Sequence, residues 1–197
     1  MRTKDPDKEK AIRKKAIELI ARKGLDGLTM QKLARAANVS PATIYLYFKD
    51  RDDLVLQVYL EASIRMNDAS LKNFDAGMHF AEGLRVQWFN RAEFCMNHPM
   101  ESALLDQLRH SPLHSRAVQL LSEKFAEVMK AFVMKAMKNK ELISFGSFEV
   151  FWAIVYAPLY QLVRFHQQGR SVFNQKFTIS EDLIDEALKL VIKAVTP

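Results

Sequence analysis

The sequence contains little of what stabilises small secreted or turn-rich proteins. Its 197 residues include one cysteine, six glycines and six prolines. The single cysteine, Cys95, cannot form an internal disulfide and excludes a zinc site built from several cysteines, which fits a reducing cytosol. So few glycines and prolines argue against an all-β fold, because hairpin turns depend on both residues.

Long hydrophobic runs are also absent. The longest apolar stretch without a charge lies between Glu149 and Arg164 and contains Pro158. It is shorter than the roughly 20 residues that span a bilayer. The chain is charged from Arg2 to Lys15, without the apolar segment of a signal peptide. We therefore expect a soluble, cytoplasmic protein with no membrane partner.

Helical periodicity dominates what is present. Hydrophobic residues make up 49% of the chain, which is enough for a substantial core, and they recur mainly at helical spacing. We predict an all-α fold with helices at Asp7–Lys23, Met30–Ala37, Pro41–Phe48, about Arg51–Ala69, Met78–Asn97, Met100–His110, Leu113–Asn139, Ser147–Gln168 and Ser180–Ala194. Pro158 falls inside one of them and should kink it.

Positive charge is concentrated in the first quarter of the chain. The net charge is +6. Residues 1–50 hold twelve basic and six acidic residues, whereas residues 51–197 hold seventeen of each. This asymmetry points to a polyanionic partner, either nucleic acid or an anionic membrane, for the basic part. Charge alone also fits a solvated basic tail.

Two short predicted helices joined by a tight turn follow the basic first helix. Thr29 and Ser40 are suited to cap them, and Asn38 tolerates the left-handed conformation that the turn requires. Ile44 and Phe48 are four residues apart and share the inner face of the second short helix. This pattern predicts a helix-turn-helix, whose second short helix enters the major groove of DNA.

The segment from Gly24 to Leu54 resembles the DNA-binding domain of the tetracycline-repressor (TetR) family. The resemblance covers about residues 10–56 and includes a basic residue before an acidic one and a leucine. Its other matching elements are Gly24, Thr29, Leu33-Ala34, Val39-Ser40, Thr43-Ile44-Tyr45 and Tyr47-Phe48. Asn38 stands where glycine is common in the family, and Pro41 stands where a polar residue is commoner. Operator readout is therefore expected to depend on neighbouring residues and on DNA shape.

The resemblance implies binding to an operator in double-stranded DNA through residues near the second short helix. It implies phosphate contacts for the two caps, base contacts near the start of the helix, hydroxyl contacts to phosphates from its tyrosines, and backbone contacts from the basic residues that follow. The implied set is Thr29, Ser40, Pro41, Ala42, Thr43, Tyr45, Leu46, Tyr47, Lys49 and Arg51. The alternative for the tyrosines is packing at the rim of the domain.

The rest of the chain is predicted to sense a ligand and to dimerise. We place a helix-turn-helix DNA-binding domain at residues 1–51 and a helical effector-binding and dimerisation domain at residues 52–197. The resemblance implies a homodimer formed mainly by Ser147–Gln168 and Ser180–Ala194. The apolar residues of these helices cover more than one stripe. The alternative is a monomer in which both helices are fully buried.

Candidate effector residues combine bulk with helical spacing, and some carry a hydrogen-bonding group near Pro158. They are Trp88, Met129, Trp152, Tyr156 and Tyr160. A mostly apolar pocket between helices is typical of small-molecule sites, so the ligand should be apolar or amphipathic. The alternative is that these side chains are ordinary core.

The sequence lacks the motifs of an enzyme or a metal site. It has no glycine-rich phosphate loop, nucleophile elbow or paired-carboxylate signature. His110 and His114 are four residues apart, but Pro112 lies between them, so we expect neither metal nor cofactor. We predict a ligand-responsive transcriptional regulator, a repressor that a small molecule releases from a palindromic operator. The alternatives are an effector-independent architectural DNA-binding protein and an enzyme with an accessory DNA-binding domain.

Overall fold

A computed structural model of the chain describes residues 5–121 and 123–197. These residues form α-helices and no strand, apart from one antiparallel bridge between Arg170 and Lys176. The helices are α1 (Pro6–Lys23), α2 (Met30–Ala36), α3 (Pro41–Ile44), α4 (Arg51–Ser70), α5 (Phe80–Asn97), α6 (Pro99–Arg109), α7 (His114–Leu120), α8 (Glu123–Lys138), α9 (Phe148–Val155), α10 (Ala157–Gln168) and α11 (Glu181–Val195), with a short 3-10 helix at Leu25–Gly27. The predicted all-α fold class is confirmed.

The chain divides into two compact units. The first contains the described residues up to Arg65 together with His98–Leu121, and the second contains Met66–Asn97 and residues 123–197. Helix α4 therefore contributes to both units. The domain boundary between residues 51 and 52 stays a prediction, because it separates proposed functions rather than compact bodies.

The core of the first unit forms around α1. Ile12, Ala16 and Ile20 recur every four residues and are fully buried, as expected for the inner stripe of an amphipathic helix. Helix α1 packs against α2 and α6, and α6 contributes the buried Leu104 and Leu108. The short helices that carry the predicted DNA contacts thus rest on a continuous hydrophobic core.

The core of the second unit forms around α5, which packs against α8, α10 and α11. Phe80, Leu84 and Trp88 lie at four-residue spacing on α5 and are fully buried. Helix α11 buries one stripe of residues: Ile184, Leu188, Val191 and Val195. These four residues are buried within one chain, so the other faces of α11 are available for further contacts.

The predicted helix Leu113–Asn139 is wrong as a single element. The structure has α7 and α8 instead, which belong to different units. Leu121 ends α7 with an extended backbone, at ψ 144°. Neither glycine nor proline marks this position in the sequence. The break follows from the passage of the chain between two units, which local propensity does not encode.

The predicted helix Ser147–Gln168 is also interrupted, at Tyr156 between α9 and α10. Pro158 lies in the first turn of α10, where its missing N–H is tolerated. The indole N–H of Trp88 donates to the carbonyl oxygen of Val155 at 2.9 Å. The predicted kink is therefore a full break, and a buried side chain satisfies one of the carbonyl groups there.

None of the described helices is long and apolar enough to cross a membrane.

Candidate nucleic-acid interface and effector site

The turn between α2 and α3 has the predicted capping geometry. The Thr29 hydroxyl accepts from the Lys32 backbone N–H at 3.2 Å, and the Ser40 hydroxyl accepts from the Thr43 N–H at 3.1 Å. Asn38 is left-handed, with φ 53°. The hydroxyl oxygens of Ser40 and Thr43 also lie 2.8 Å apart, within hydrogen-bond distance. These local contacts fix the start of α3 and confirm the predicted caps.

Helix α3 and the turn after it have one buried and one exposed face. Ile44 and Phe48 are buried in the first unit, as predicted. Pro41, Ala42 and Lys49 are exposed, and so are the larger side chains of Tyr45, at 54%, and Leu46, at 43%. The helix is shorter than the predicted Pro41–Phe48, but backbone bonds from the Tyr47 and Phe48 N–H groups to the Ile44 carbonyl continue the turns. An exposed surface of mixed apolar, hydroxyl and basic groups suits base edges and phosphates.

Tyr47 differs from Tyr45 in its surroundings. Its hydroxyl accepts from the Asp5 N–H at 2.9 Å and donates to the Asp5 carbonyl at 3.1 Å. Asp5 is the N-cap of α1. Tyr47 therefore joins the end of the helix-turn-helix to the start of α1, and its predicted phosphate contact stays a prediction.

Arg51 bonds to backbone oxygens of the first unit. Its Nε donates to the Leu28 carbonyl at 2.9 Å, and Nη2 donates to the Leu25 carbonyl at 2.5 Å. Nη1 lies 3.2 Å from a carboxylate oxygen of Asp52. These contacts hold the 3-10 segment before α2 against the start of α4. The contact of Arg51 with the DNA backbone stays a prediction, and its bonds within the chain are those of a positioning residue.

The structure brings three of the predicted effector residues together. The rings of Trp152 and Tyr156 are 5.1 Å apart, and those of Trp152 and Tyr160 are stacked at 5.8 Å. Trp88 is fully buried and bonds to the end of α9. Met129 lies half-buried on α8. The predicted residues thus include an aromatic cluster along α9 and α10 together with core positions.

A buried arginine that the sequence interpretation missed lies at this cluster. The Nε and Nη2 groups of Arg91 donate to the Gln87 amide oxygen at 3.1 and 3.0 Å, and Nη1 donates to the Tyr160 hydroxyl at 2.8 Å. Its guanidinium carbon lies 4.8 Å from the centroid of the Tyr156 ring and 5.7 Å from that of Phe125. The aromatic cluster therefore surrounds a cation.

Both ionisable groups at the centre of the cluster have shifted pKa values. Burial raises the pKa of Tyr156 to about 12, although Arg91 acts in the opposite direction. Burial lowers the pKa of Arg91, but charge interactions with Tyr160 and Tyr156 and the hydrogen bond to Tyr160 outweigh it, so this pKa lies above its ordinary value. At neutral pH the site consequently contains a positive guanidinium and an uncharged phenol.

A sequence signal for Arg91 existed. Gln87 and Arg91 continue the buried stripe of α5, seven and eleven residues after Phe80. A charged residue on an apolar stripe is rare unless it is paired. The distinctive chemistry of this stripe therefore lies in its polar positions and not in its aromatic ones.

Comparison with known families matches the helix-turn-helix. Residues 12–58 match the family described as bacterial regulatory proteins, tetR family. An HTH-type transcriptional regulator of Haemophilus influenzae is 41% identical over 95 residues, which are 48% of this chain and 50% of that protein. The match thus spans half the length of that relative. Another HTH-type regulator, from Bacillus subtilis, is 21% identical over 133 residues, which are 68% of this chain and 69% of the relative.

Solved structures resemble the chain over nearly its whole length. A TetR family transcription regulator from Marinobacter aquaeolei is 27% identical, with a TM-score of 0.79, over 99% of this chain and 98% of that chain. A TetR-family transcriptional regulator from Haemophilus influenzae has a TM-score of 0.77 at 23% identity, over 100% of both chains. The second likeness concerns the fold alone. Together these comparisons extend the similarity beyond the helix-turn-helix to both units.

Proposed function

Because the chain belongs to the TetR family, we propose that it is a cytoplasmic, ligand-responsive repressor that binds a palindromic DNA operator as a homodimer. A small molecule bound in the second unit releases it from the operator. The main support for DNA binding is the exposed surface formed by α3 and the turn after it, where Tyr45 is 54% and Leu46 is 43% exposed. Large apolar side chains on an otherwise well-packed unit favour a partner surface.

Dimerisation is supported by apolar faces that the core of one chain leaves uncovered. Along α11, Leu183, Ala187, Leu190 and Ala194 recur at helical spacing outside the buried stripe, and Leu190 is 64% exposed. Val150 and Ile154 of α9 are exposed as well. We infer that a second copy of the chain covers these faces. Two helix-turn-helix units would then read successive major grooves.

Regulation requires that the ligand bind two states of the dimer with different affinity. The coupling free energy in such systems is on the order of 1–3 kcal/mol. Helix α4 is one covalent connection through which a change can act, because it contributes residues to both units. Ligand binding in the second unit would favour a state whose two DNA-binding surfaces no longer fit both half-sites.

Operator selection from random duplex DNA tests the proposal. We expect one inverted repeat with half-sites about one helical turn apart or slightly more, a matching footprint, and affinity that falls as salt rises. A scrambled duplex of the same length is the control. If selection enriches no sequence and salt does not change the binding, the protein is not an operator-binding regulator.

The dimer interface can be tested by Leu190→Glu. We expect monomers by sedimentation, because a carboxylate would be placed in an apolar interface without a partner. Lys193→Glu on the same helix is the matched control, since Lys193 is exposed and polar. Leu188 and Val191 are less informative, because both are buried within one chain. A Leu190→Glu protein that remains dimeric would mean that the subunits meet elsewhere.

Substitutions at Tyr45 and Arg51 should distinguish a side chain that contacts DNA from one that positions the protein backbone. Tyr45→Ala removes an exposed side chain, so we expect operator affinity to fall about tenfold or more with an unchanged Tm. Arg51→Ala breaks the bonds to the Leu25 and Leu28 carbonyls, so it should also lower stability by about 1–3 kcal/mol. Gel-shift titration and thermal unfolding measure the two effects. Equal Tm losses in both variants would contradict this division.

A further inference from the structure

Arg91 is a buried cation whose hydrogen bonds go to neutral groups. It is 3% exposed, and its three hydrogen bonds go to the neutral side chains of Gln87 and Tyr160. In residues 5–121 and 123–197, its other contacts are also with uncharged groups, the rings of Tyr156 and Phe125. A charge taken out of water without a counter-ion is strongly unfavourable. An anionic ligand beside Arg91 would therefore offset the cost of burying its charge.

The unsatisfied groups beside Arg91 indicate the kind of anion. A guanidinium has five N–H groups, and the three bonds leave one hydrogen on Nη1 and one on Nη2 without an acceptor. The Gln87 amide nitrogen and the Tyr156 hydroxyl are also buried without a hydrogen-bond partner in the described chain. All of these groups can donate. What the site needs is an acceptor with a negative charge, and a carboxylate matches the two hydrogens of the guanidinium fork.

We propose that the second unit binds an amphipathic monocarboxylate whose carboxylate is held by Arg91, with donation from Gln87 and Tyr156. This assignment names the effector class of the proposed repressor, and its regulatory meaning rests on that function. The binding itself does not depend on DNA, so it can be measured separately.

The charge of the site favours a carboxylate over a phosphate monoester. The guanidinium of Arg91 contacts the Tyr160 hydroxyl and the rings of Phe125 and Tyr156 at this cluster. A carboxylate carries one negative charge, which one guanidinium neutralises. A phosphate monoester carries about 1.5 to 2 negative charges at neutral pH, and the excess would remain buried without a partner.

The apolar part of the ligand has an aromatic surface to lie against. Trp152 stacks on Tyr160 at 5.8 Å, and Phe148 lies 6.2 Å from Trp152, measured between ring centroids. Phe148 is 66% exposed, whereas Trp152 and Tyr160 are half-buried. The rings of Tyr160, Trp152 and Phe148 therefore form a row that runs from the buried cation to solvent. A chain or ring attached to the carboxylate can pack along it, which gives the hydrophobic part of the affinity.

Binding of medium-chain acids to the full-length protein is the first test. Isothermal titration and thermal shift are carried out with octanoate, decanoate and dodecanoate, with the alcohols of the same chain lengths, and with acetate. We expect at least one acid to bind and raise the Tm. The alcohol of the same chain length should bind with an affinity at least about tenfold lower, and acetate should have no effect. If none of the acids binds, or if an alcohol binds as well as its acid, the proposal is overturned.

Two variants connect the binding to these residues. Arg91→Met should abolish the response to the acid, whereas Arg85→Met, an exposed arginine on the same helix, should leave it unchanged. Tyr156→Phe removes only a hydroxyl that lacks a partner, so the protein should fold normally and bind the acid about threefold to tenfold more weakly. This second variant decides the matter if Arg91→Met does not fold. Unchanged affinity in folded Arg91→Met would overturn the assignment, and if that variant does not fold, unchanged affinity in Tyr156→Phe would overturn it.

Gel shifts separate the two proposals. If the protein binds an operator but no carboxylate, the ligand assignment fails and the DNA-binding function stands. If a carboxylate binds through Arg91 and no operator is selected, the ligand site stands and the repressor function fails.

Discussion

Replacement of Ala42 by glutamate is expected to weaken operator binding by about a hundredfold or more, because it places a carboxylate among DNA acceptor groups. Ala42 is exposed on α3, on the same surface as Tyr45 and Leu46. The new side chain has open space, so the core formed by Ile44 and Phe48 is not disturbed. Glutamate near the start of a helix is also compatible with the helix dipole.

The measurement for Ala42→Glu pairs gel-shift titration on the selected operator with thermal unfolding. Ala131→Glu is the matched control, because it makes the same substitution at an exposed position of α8 in the second unit. We expect the control to bind DNA normally and both proteins to unfold at the temperature of the unchanged chain. Tight operator binding by Ala42→Glu would mean that another surface of the protein contacts the bases.

The geometry around α3 was largely predictable because it depends on neighbours in the sequence. The caps Thr29 and Ser40 bond to N–H groups three residues away, and Asn38 takes the left-handed conformation locally. Ile44 and Phe48 share a face through the helical period alone. Such features need only short-range chemistry, so the sequence pattern was sufficient.

Other features depend on residues that are distant in the sequence. Arg51 bonds to carbonyl groups 23 and 26 residues earlier, and Arg91 meets Tyr160 from 69 residues away. Neither glycine nor proline marks the end of α7 at Leu121 in the sequence. Composition and periodicity describe which side of a helix is buried, but not which polar groups meet there. The roles of these arginines therefore required the tertiary structure.

The stability of the second unit should be sensitive to substitution at Gly83, which is buried on α5. A Cβ atom at this position would lie 2.6 Å from Cε2 of Phe132, 2.7 Å from its Cζ and 3.1 Å from Cε2 of Phe74. The ring of Phe132 cannot move away easily, because it meets Phe74 edge-on at 5.0 Å and stacks on Phe80 at 5.7 Å. Protein interiors are close-packed, so an added methyl group here forces a shift of the cluster.

Gly83→Ala is therefore expected to destabilise the protein by about 1–3 kcal/mol, although alanine favours a helix by about 1 kcal/mol over glycine. Gly83→Val should destabilise it further, because valine adds more volume. Gly146→Ala is the control, since its added Cβ meets nothing within 4 Å and should be close to neutral. Denaturant unfolding gives the free energies of each variant.

A double-mutant cycle with Phe132→Leu identifies the cause of the loss. Phe132→Leu alone should destabilise the protein, because it leaves a void where a buried ring was. In combination with Gly83→Ala, the smaller side chain provides room for the new methyl group, so the total loss should be clearly less than the sum of the two. Additive losses would mean that the Gly83 methyl does not meet Phe132, and that the cost arises from the backbone of α5 instead.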